Sequence, residues 1–293
     1  MQADTIRKVY ERARLRAWDA TPIGSDREDG QNFLVVNIDT KTFELVELRN
    51  TLNSYYNKPD ELTRVVQVVG DSGISFSRNK IENALAVLSD HIDNATILEY
   101  GFTCVEHDAN WLVSEYLAKR VRSAQSTSPN TIAETRVVAN LVGQSIEALE
   151  TTGWSGSEHV HHYTLLYSSG AELTRFGDDT WLSDGMMFAE HDDMMICFEG
   201  GPQAFHQCVN VLMFGVRVSA VRGLRPNGDA RFSAAQMLAC LNEATAAENS
   251  PVEDYLRDHA PAKKEQIEDI RADIERLARS NRNIHTLVRI IDV

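Results

Sequence analysis

Residues 184–215 read DGMMFAEHDDMMICFEGGPQAFHQCVNVLMFG, and the division of this stretch decides the fold. Met187, His191 and the apolar residues between them have helical spacing, and Asp192-Asp193 interrupt it. Met194-Met195-Ile196-Cys197-Phe198 is an apolar run with Gly200-Gly201 close behind. A run this short, bounded by glycine, predicts a buried strand rather than a helix. From Gln203 to Phe214 the apolar residues Phe205, Val209, Leu212 and Met213 mark one face of a second helix. Strand, Gly-Gly, helix is a candidate phosphate cradle, because glycine lets backbone N–H groups approach a ligand and a helix N-terminus favours negative charge. The same pattern also serves as a plain tight turn, and the stretch alone does not separate the two.

Working outward, Arg64-Val65-Val66-Gln67-Val68-Val69 predicts a strand that runs into Gly70-Asp71-Ser72-Gly73, with a helix from about Arg78 to His91. Further strands are expected at 95–100, ending in Gly101, at 135–141, at 162–168 and at 216–221. Strands alternating with helices predict an α/β, Rossmann-like, mostly parallel sheet with helices on both faces and ligands at the carboxyl ends of the strands. Before it, a helix over 3–18, a loop to Gln31 and a hairpin of 33–39 with 42–49 form an expected N-terminal appendage, residues 1–60. The Rossmann-like domain covers 61–225, and 226–293 is a C-terminal helical extension. In that extension Pro251 and Pro261 are expected breakers, and 287–291 an edge strand or docking tail. The periodic helix 263–280 packs its stripe of Ile267, Ile270, Ile274 and Leu277 either on the domain or on a second subunit.

Composition narrows the function classes. The 293 residues suffice for a sizeable core, and the hydrophobic fraction of 43% and charged fraction of 25% are ordinary for a globular protein. A net charge of −14 argues against general nucleic-acid binding, which needs clustered Lys and Arg. Cys104, Cys197, Cys208 and Cys240 make no CxxC pair, so reduced core thiols are expected. With no signal-peptide core and no apolar run of membrane length, the expectation is a soluble cytoplasmic protein without a membrane partner.

Taken together, Gly70-Asp71-Ser72-Gly73, Gly101 through Asp108-Ala109, Met187, His191 and Asp193 before the buried strand, and Gly200-Gly201 after it resemble the SLOG superfamily over roughly residues 62–225. That superfamily of Rossmann-like nucleotide-binding domains includes the LONELY GUY phosphoribohydrolases. The resemblance implies a nucleotide-like ligand held by Gly70, Asp71, Ser72, Gly73, Gly101, Gly200, Gly201, Pro202, Gln203 and Gln207, in a homodimer or higher homo-oligomer, with no cofactor. The chain departs from the family where hydrolysis is done. Asp184-Gly185 stand where the family has Arg-Lys, Glu199 where it has proline, and Gln207 where it has the catalytic Glu. The expectation is therefore a domain that senses or sequesters a nucleotide-derived ligand without phosphoribohydrolase activity. Two alternatives stay open: a nucleotide N-glycosidase in which Glu106, Asp108 or Glu199 replaces the lost pair, and a structural subunit whose pocket Gln203 and Phe205 fill. His159-Val160-His161-His162 reads as a polar strand start rather than a metal site, since no Cys or acid at ligand spacing completes it beyond Glu158.

Overall fold

A computed structural model of the chain describes residues 23–28, 31–37, 65–71, 76–89, 97–101, 116, 136–142, 162–167, 194–244, 250–280 and 282–293. The strands are β1 (Ile23–Glu28), β2 (Gln31–Asn37), β3 (Val65–Gly70), β4 (Ile97–Gly101), β5 (Arg136–Val142), β6 (His162–Tyr167), β7 (Met194–Phe198), β8 (Arg217–Arg222) and β9 (Val288–Asp292). They lie side by side as β1-β2-β6-β5-β4-β3-β7-β8-β9. Every neighbouring pair is parallel except β1 with β2. The described helices are α1 (Arg78–Val87), α2 (Pro202–Met213), α3 (Ala234–Glu243), α4 (Ser250–His259), α5 (Lys264–Arg279) and α6 (Ile284–Leu287).

The order has one decisive property. From β3 the chain steps outward to β4, β5 and β6, then returns to the other side of β3 and continues through β7, β8 and β9. The direction of travel reverses between β3 and β7, so right-handed crossovers place α1 and α2 on opposite faces of the sheet. Residue patterning agrees. Val69, Met195, Cys197, Val218, Ala220 and Val288 share one core cluster with Phe205, Cys208, Val209 and Leu212 of α2 and with Met237 and Leu238 of α3. Val66, Val68, Ile196 and Phe198 alternate to the other face, where α1 contributes buried Ile81, Ala84 and Leu85. Phe205, Val209 and Leu212 are wholly buried, each contributing about 1.5–3 kcal/mol of apolar burial, which fixes α2 over β7 and β8.

The parallel α/β sheet over 65–222 is as expected, with β7 inside it between β3 and β8, and the edge strand expected at 287–291 is β9, Val288–Asp292, beside β8. Two expectations are corrected. The N-terminal hairpin forms between Ile23–Glu28 and Gln31–Asn37, so 23–28, read from sequence as loop, is a strand. Asp29-Gly30 is a dipeptide suited to a two-residue hairpin, although Gly24-Ser25-Asp26 before it has poor strand propensity. The hairpin also continues the main sheet, because β2 pairs in parallel with β6. Pro251, expected to break the chain, lies in the first turn of α4, where its missing N–H has no intrahelical partner to lose.

The charged C-terminal helix packs within its own chain. Ile270 and Leu277 of α5 are buried, in the core cluster that holds α2, with Ile274 packed against it. Asp273 interrupts the stripe yet is 3% exposed. His206 Nδ1 of α2 lies 2.6 Å from its Oδ2, and Arg276 Nη1 donates to its Oδ1 at 2.8 Å. Arg276 Nη2 donates to Asn210 Oδ1 of α2 at 2.5 Å, completing a polar bridge along the helix pair. No helix among the described residues is long and apolar enough to cross a membrane.

The expected helix 3–18, strand 42–49 and linker 50–60 lie outside the described residues. So do Ser72, Gly73, Cys104, Glu106, Asp108, His159, His161, Asp184, Met187, His191 and Asp193.

Candidate functional site

In an open parallel sheet the crevice for a ligand opens at the carboxyl ends of the strands where the order reverses. Here that point is the gap between the ends of β3 and β7. Asp71 follows β3, and its backbone N–H donates to Phe198 O at 3.3 Å. Glu199 and Gly200 follow β7 with φ of 56° and 84°. Gly201 then caps α2 in extended conformation, with Pro202 in the first turn. Gly101 ends β4, the other neighbour of β3. The structure thus brings Gly70, Asp71, Gly101, Gly200, Gly201, Pro202 and Gln203 to one edge of the sheet. Gln207 lies a turn further along α2.

The two glycines have different jobs. A Cβ at position 200 would lie 2.6 Å from Ala204 Cβ and 3.3 Å from both Ala234 Cβ and Cys197 Sγ. Gly200 is therefore required by its left-handed φ and by the close approach of α2 and α3. A Cβ at position 201 would meet nothing within 4 Å among the described residues. Gln203 is exposed, while Phe205 turns into the core with its ring 6.1 Å from that of Phe232, edge to face. Phe205 therefore does not fill the space in front of α2.

Two helix N-termini meet at this edge and are treated differently. In α3, Ala234 N–H donates to Gly200 O and Ala235 N–H to Glu199 O, both at 2.8 Å. Gln236 N–H donates to the Ser233 side chain at 3.1 Å, so the first turn of α3 is satisfied by the protein itself. In α2 no side chain caps the first turn, and among the described residues no hydrogen bond reaches the N–H of Gln203 or Ala204. Those donors lie at the positive end of a helix dipole.

Beneath them lies a buried polar network that the sequence reading missed. Arg225, 8% exposed, donates from Nε to Asp71 Oδ2 at 2.7 Å, with Nη2 2.5 Å from the same oxygen. Its Nη1 donates to the carbonyls of Arg231 and Phe232, each at 2.9 Å, and Nη2 to Gly200 O at 3.4 Å. One guanidinium thus ties the end of β3, the turn after β7 and the segment leading into α3. The sign in the sequence was positional: Arg225 follows the closing strand by three residues, which puts it at the carboxyl edge.

Glu199, 4% exposed, turns its carboxylate into the protein. Oε1 accepts from Leu224 N–H at 2.9 Å and Arg225 N–H at 3.5 Å, and Oε2 accepts from Ser233 Oγ at 2.6 Å. Ser233 is itself clamped by Tyr255, whose hydroxyl accepts from Ser233 N–H at 2.6 Å and donates to Ser233 O at 3.2 Å. Burial pushes the Tyr255 hydroxyl up to about 12. These contacts hold Glu199 at a positive φ that costs a non-glycine residue about 1–3 kcal/mol. Cys197, Cys208 and Cys240 are free, buried thiols, as expected.

Burial raises the Asp71 carboxyl above its ordinary 3.8, against the pull of Arg225 and with a smaller push from Glu199. The folded chain therefore takes up a proton at Asp71 before the unfolded chain does. The stability tied to that proton is complete below 3.8 and is lost as pH rises through the raised folded value. Urea unfolding at pH 7 and pH 4 is expected to show wild type gaining stability on Asp71→Asn as pH falls. A gap that narrows on acidification would contradict the assignment.

The outermost cation of the described edge is Arg231, exposed and paired with Asp229, whose carboxyl it holds well below the usual range. No group of three or more His, Cys, Asp or Glu able to hold a metal forms among the described residues. A scan against protein-family models finds none that matches the chain, and a search of curated proteins returns no match to its sequence.

Proposed function

We propose that the chain binds a nucleotide-like ligand at the edge where β3 and β7 part, and that it senses or sequesters this ligand without cleaving it. The observation that carries the reading is the open first turn of α2, set beside the sealed first turn of α3 at the point where the strand order reverses. An anionic group seated there would receive backbone N–H donors and the positive end of the helix. The resemblance to the SLOG superfamily supports the same ligand class. Against hydrolysis stand Gln207 in place of the family's Glu and Asp184 in place of its Arg. An amide cannot supply the charge that steadies a cation-like sugar or the proton a leaving base needs. Glu199, one of the possible replacement acids, is spent on Leu224, Arg225 and Ser233.

The test is a thermal-shift series against AMP, GMP, CMP, UMP, NAD and ADP-ribose, with free base followed by chromatography. At least one nucleotide is expected to stabilise the fold, by about 2.7 kcal/mol at a hundred-fold excess over Kd. None of the monophosphates is expected to release base. Absence of any shift would sink the binding reading, and multiple-turnover base release would replace it with the glycosidase.

A further inference from the structure

We propose that Asp71 is a resident competitor for Arg225: its carboxylate occupies the cationic seat that an oxyanion of the ligand, such as a phosphate, takes over on binding. This rests on the nucleotide-binding reading of the same edge and adds how the site is kept closed when empty.

The asymmetry of the pair carries the argument. Arg225 does not need Asp71 to stay in place, because the carbonyls of Arg231, Phe232 and Gly200 hold three of its donor positions. Among the described residues, Asp71 holds its side chain on Arg225 alone. If Asp71 swings away, the guanidinium stays pre-positioned with Nε and one Nη2 proton free, the two-pronged geometry that suits phosphate or carboxylate. The location fits as well. Arg225 touches Gly200 O, and a Cβ on the next residue, Gly201, would meet none of the described residues within 4 Å at the first turn of α2. One oxyanion could thus meet the helix N-terminus from above and the arginine from below. Asp71 is also a weak occupant. Burial and the nearby Glu199 charge together raise its carboxyl against the pull of Arg225, which disfavours the ionised form on the seat. A ligand anion that brings its own charge, while Asp71 returns to water, relieves the penalty.

Binding is then an exchange of one anion for another at Arg225. Apparent affinity is reduced by the fraction of molecules in which Asp71 sits on the seat. A nucleoside without phosphate gains nothing from the exchange.

The experiment titrates wild type and Asp71→Asn with AMP and with adenosine by calorimetry. AMP is expected to bind Asp71→Asn about ten-fold more tightly than wild type, with adenosine unchanged between them. Equal or weaker AMP binding by the folded variant overturns the proposal. Failure of both proteins to bind either compound removes the nucleotide reading beneath it as well. A second readout needs no variant: in wild type, the Asp71 carboxyl carbon and the Arg225 Nε–H resonances are expected to move together on AMP saturation. An Asp71 signal that stays fixed at saturation also overturns it.

Discussion

Arg225→Met is expected to lower the free energy of unfolding by about 3–5 kcal/mol, the usual cost of removing one partner from a buried ion pair. Both side chains are nearly enclosed, 7% and 8% exposed, so solvent does little to screen what is lost. Methionine restores much of the volume but none of the donors. It leaves Asp71 without its cation and the carbonyls of Gly200, Arg231 and Phe232 without their side-chain donor. Asp71→Asn should cost less, because it leaves no uncompensated carboxylate buried and Arg225 keeps its three carbonyl partners. The surface pairs Arg271–Glu253 and Arg279–Glu275 set the contrast, since exposed pairs contribute about 0–1 kcal/mol. Urea unfolding of Arg225→Met and Arg279→Met would decide the matter. Equal and small losses would mean that the network under the glycine turn is incidental to the fold.

The sheet was legible because its code is local. Runs such as Met194–Phe198, and Val65–Gly70 but for Gln67, are apolar, as strands covered on both faces must be, and glycine marks where they stop. The order of those strands is a further step, but alternation with helices and the right-handed crossover leave few arrangements open. The hairpin was misplaced because β1, IGSDRE, carries little strand propensity of its own and is specified by pairing with β2. Glycines announce themselves, so the sequence singles out Gly70, Gly101, Gly200 and Gly201 as ligand residues, and the strand ends carry all four to one end of the sheet. Arg225 and Ser233 are not singled out, since neither belongs to a local pattern. Arg225 meets Asp71 across 154 positions of chain, and only the fold supplies that contact. Glu199 shows the same limit from the other side. Its position was read correctly, but the direction of its carboxylate depends on Leu224 and Ser233, which the sequence does not place beside it.

Gly200→Ala and Gly201→Ala should behave oppositely, although the residues are adjacent. At 200 a side chain must adopt φ of 84°, costing about 1–2 kcal/mol, and its Cβ would sit 2.6 Å from Ala204 Cβ. Ala204 belongs to α2 and Ala234 to α3, and both helices are anchored by the core, so neither retreats cheaply. Overpacking adds about 1–3 kcal/mol, for a total loss of about 2–5 kcal/mol. At 201 the backbone is extended and the added methyl meets none of the described residues within 4 Å. Alanine caps a helix less well than glycine but restricts the unfolded chain more, and the two effects leave stability within about 1 kcal/mol. Binding should sort the pair the other way. Any ligand that uses the first turn of α2 must pass the face of Gly201. Gly201→Leu is therefore expected to keep most of the melting temperature and lose the nucleotide-induced shift. If Gly201→Leu keeps its nucleotide shift, the open turn is not where the ligand sits. If Gly200→Ala melts with wild type, the packing of α2 against α3 is looser than its distances imply.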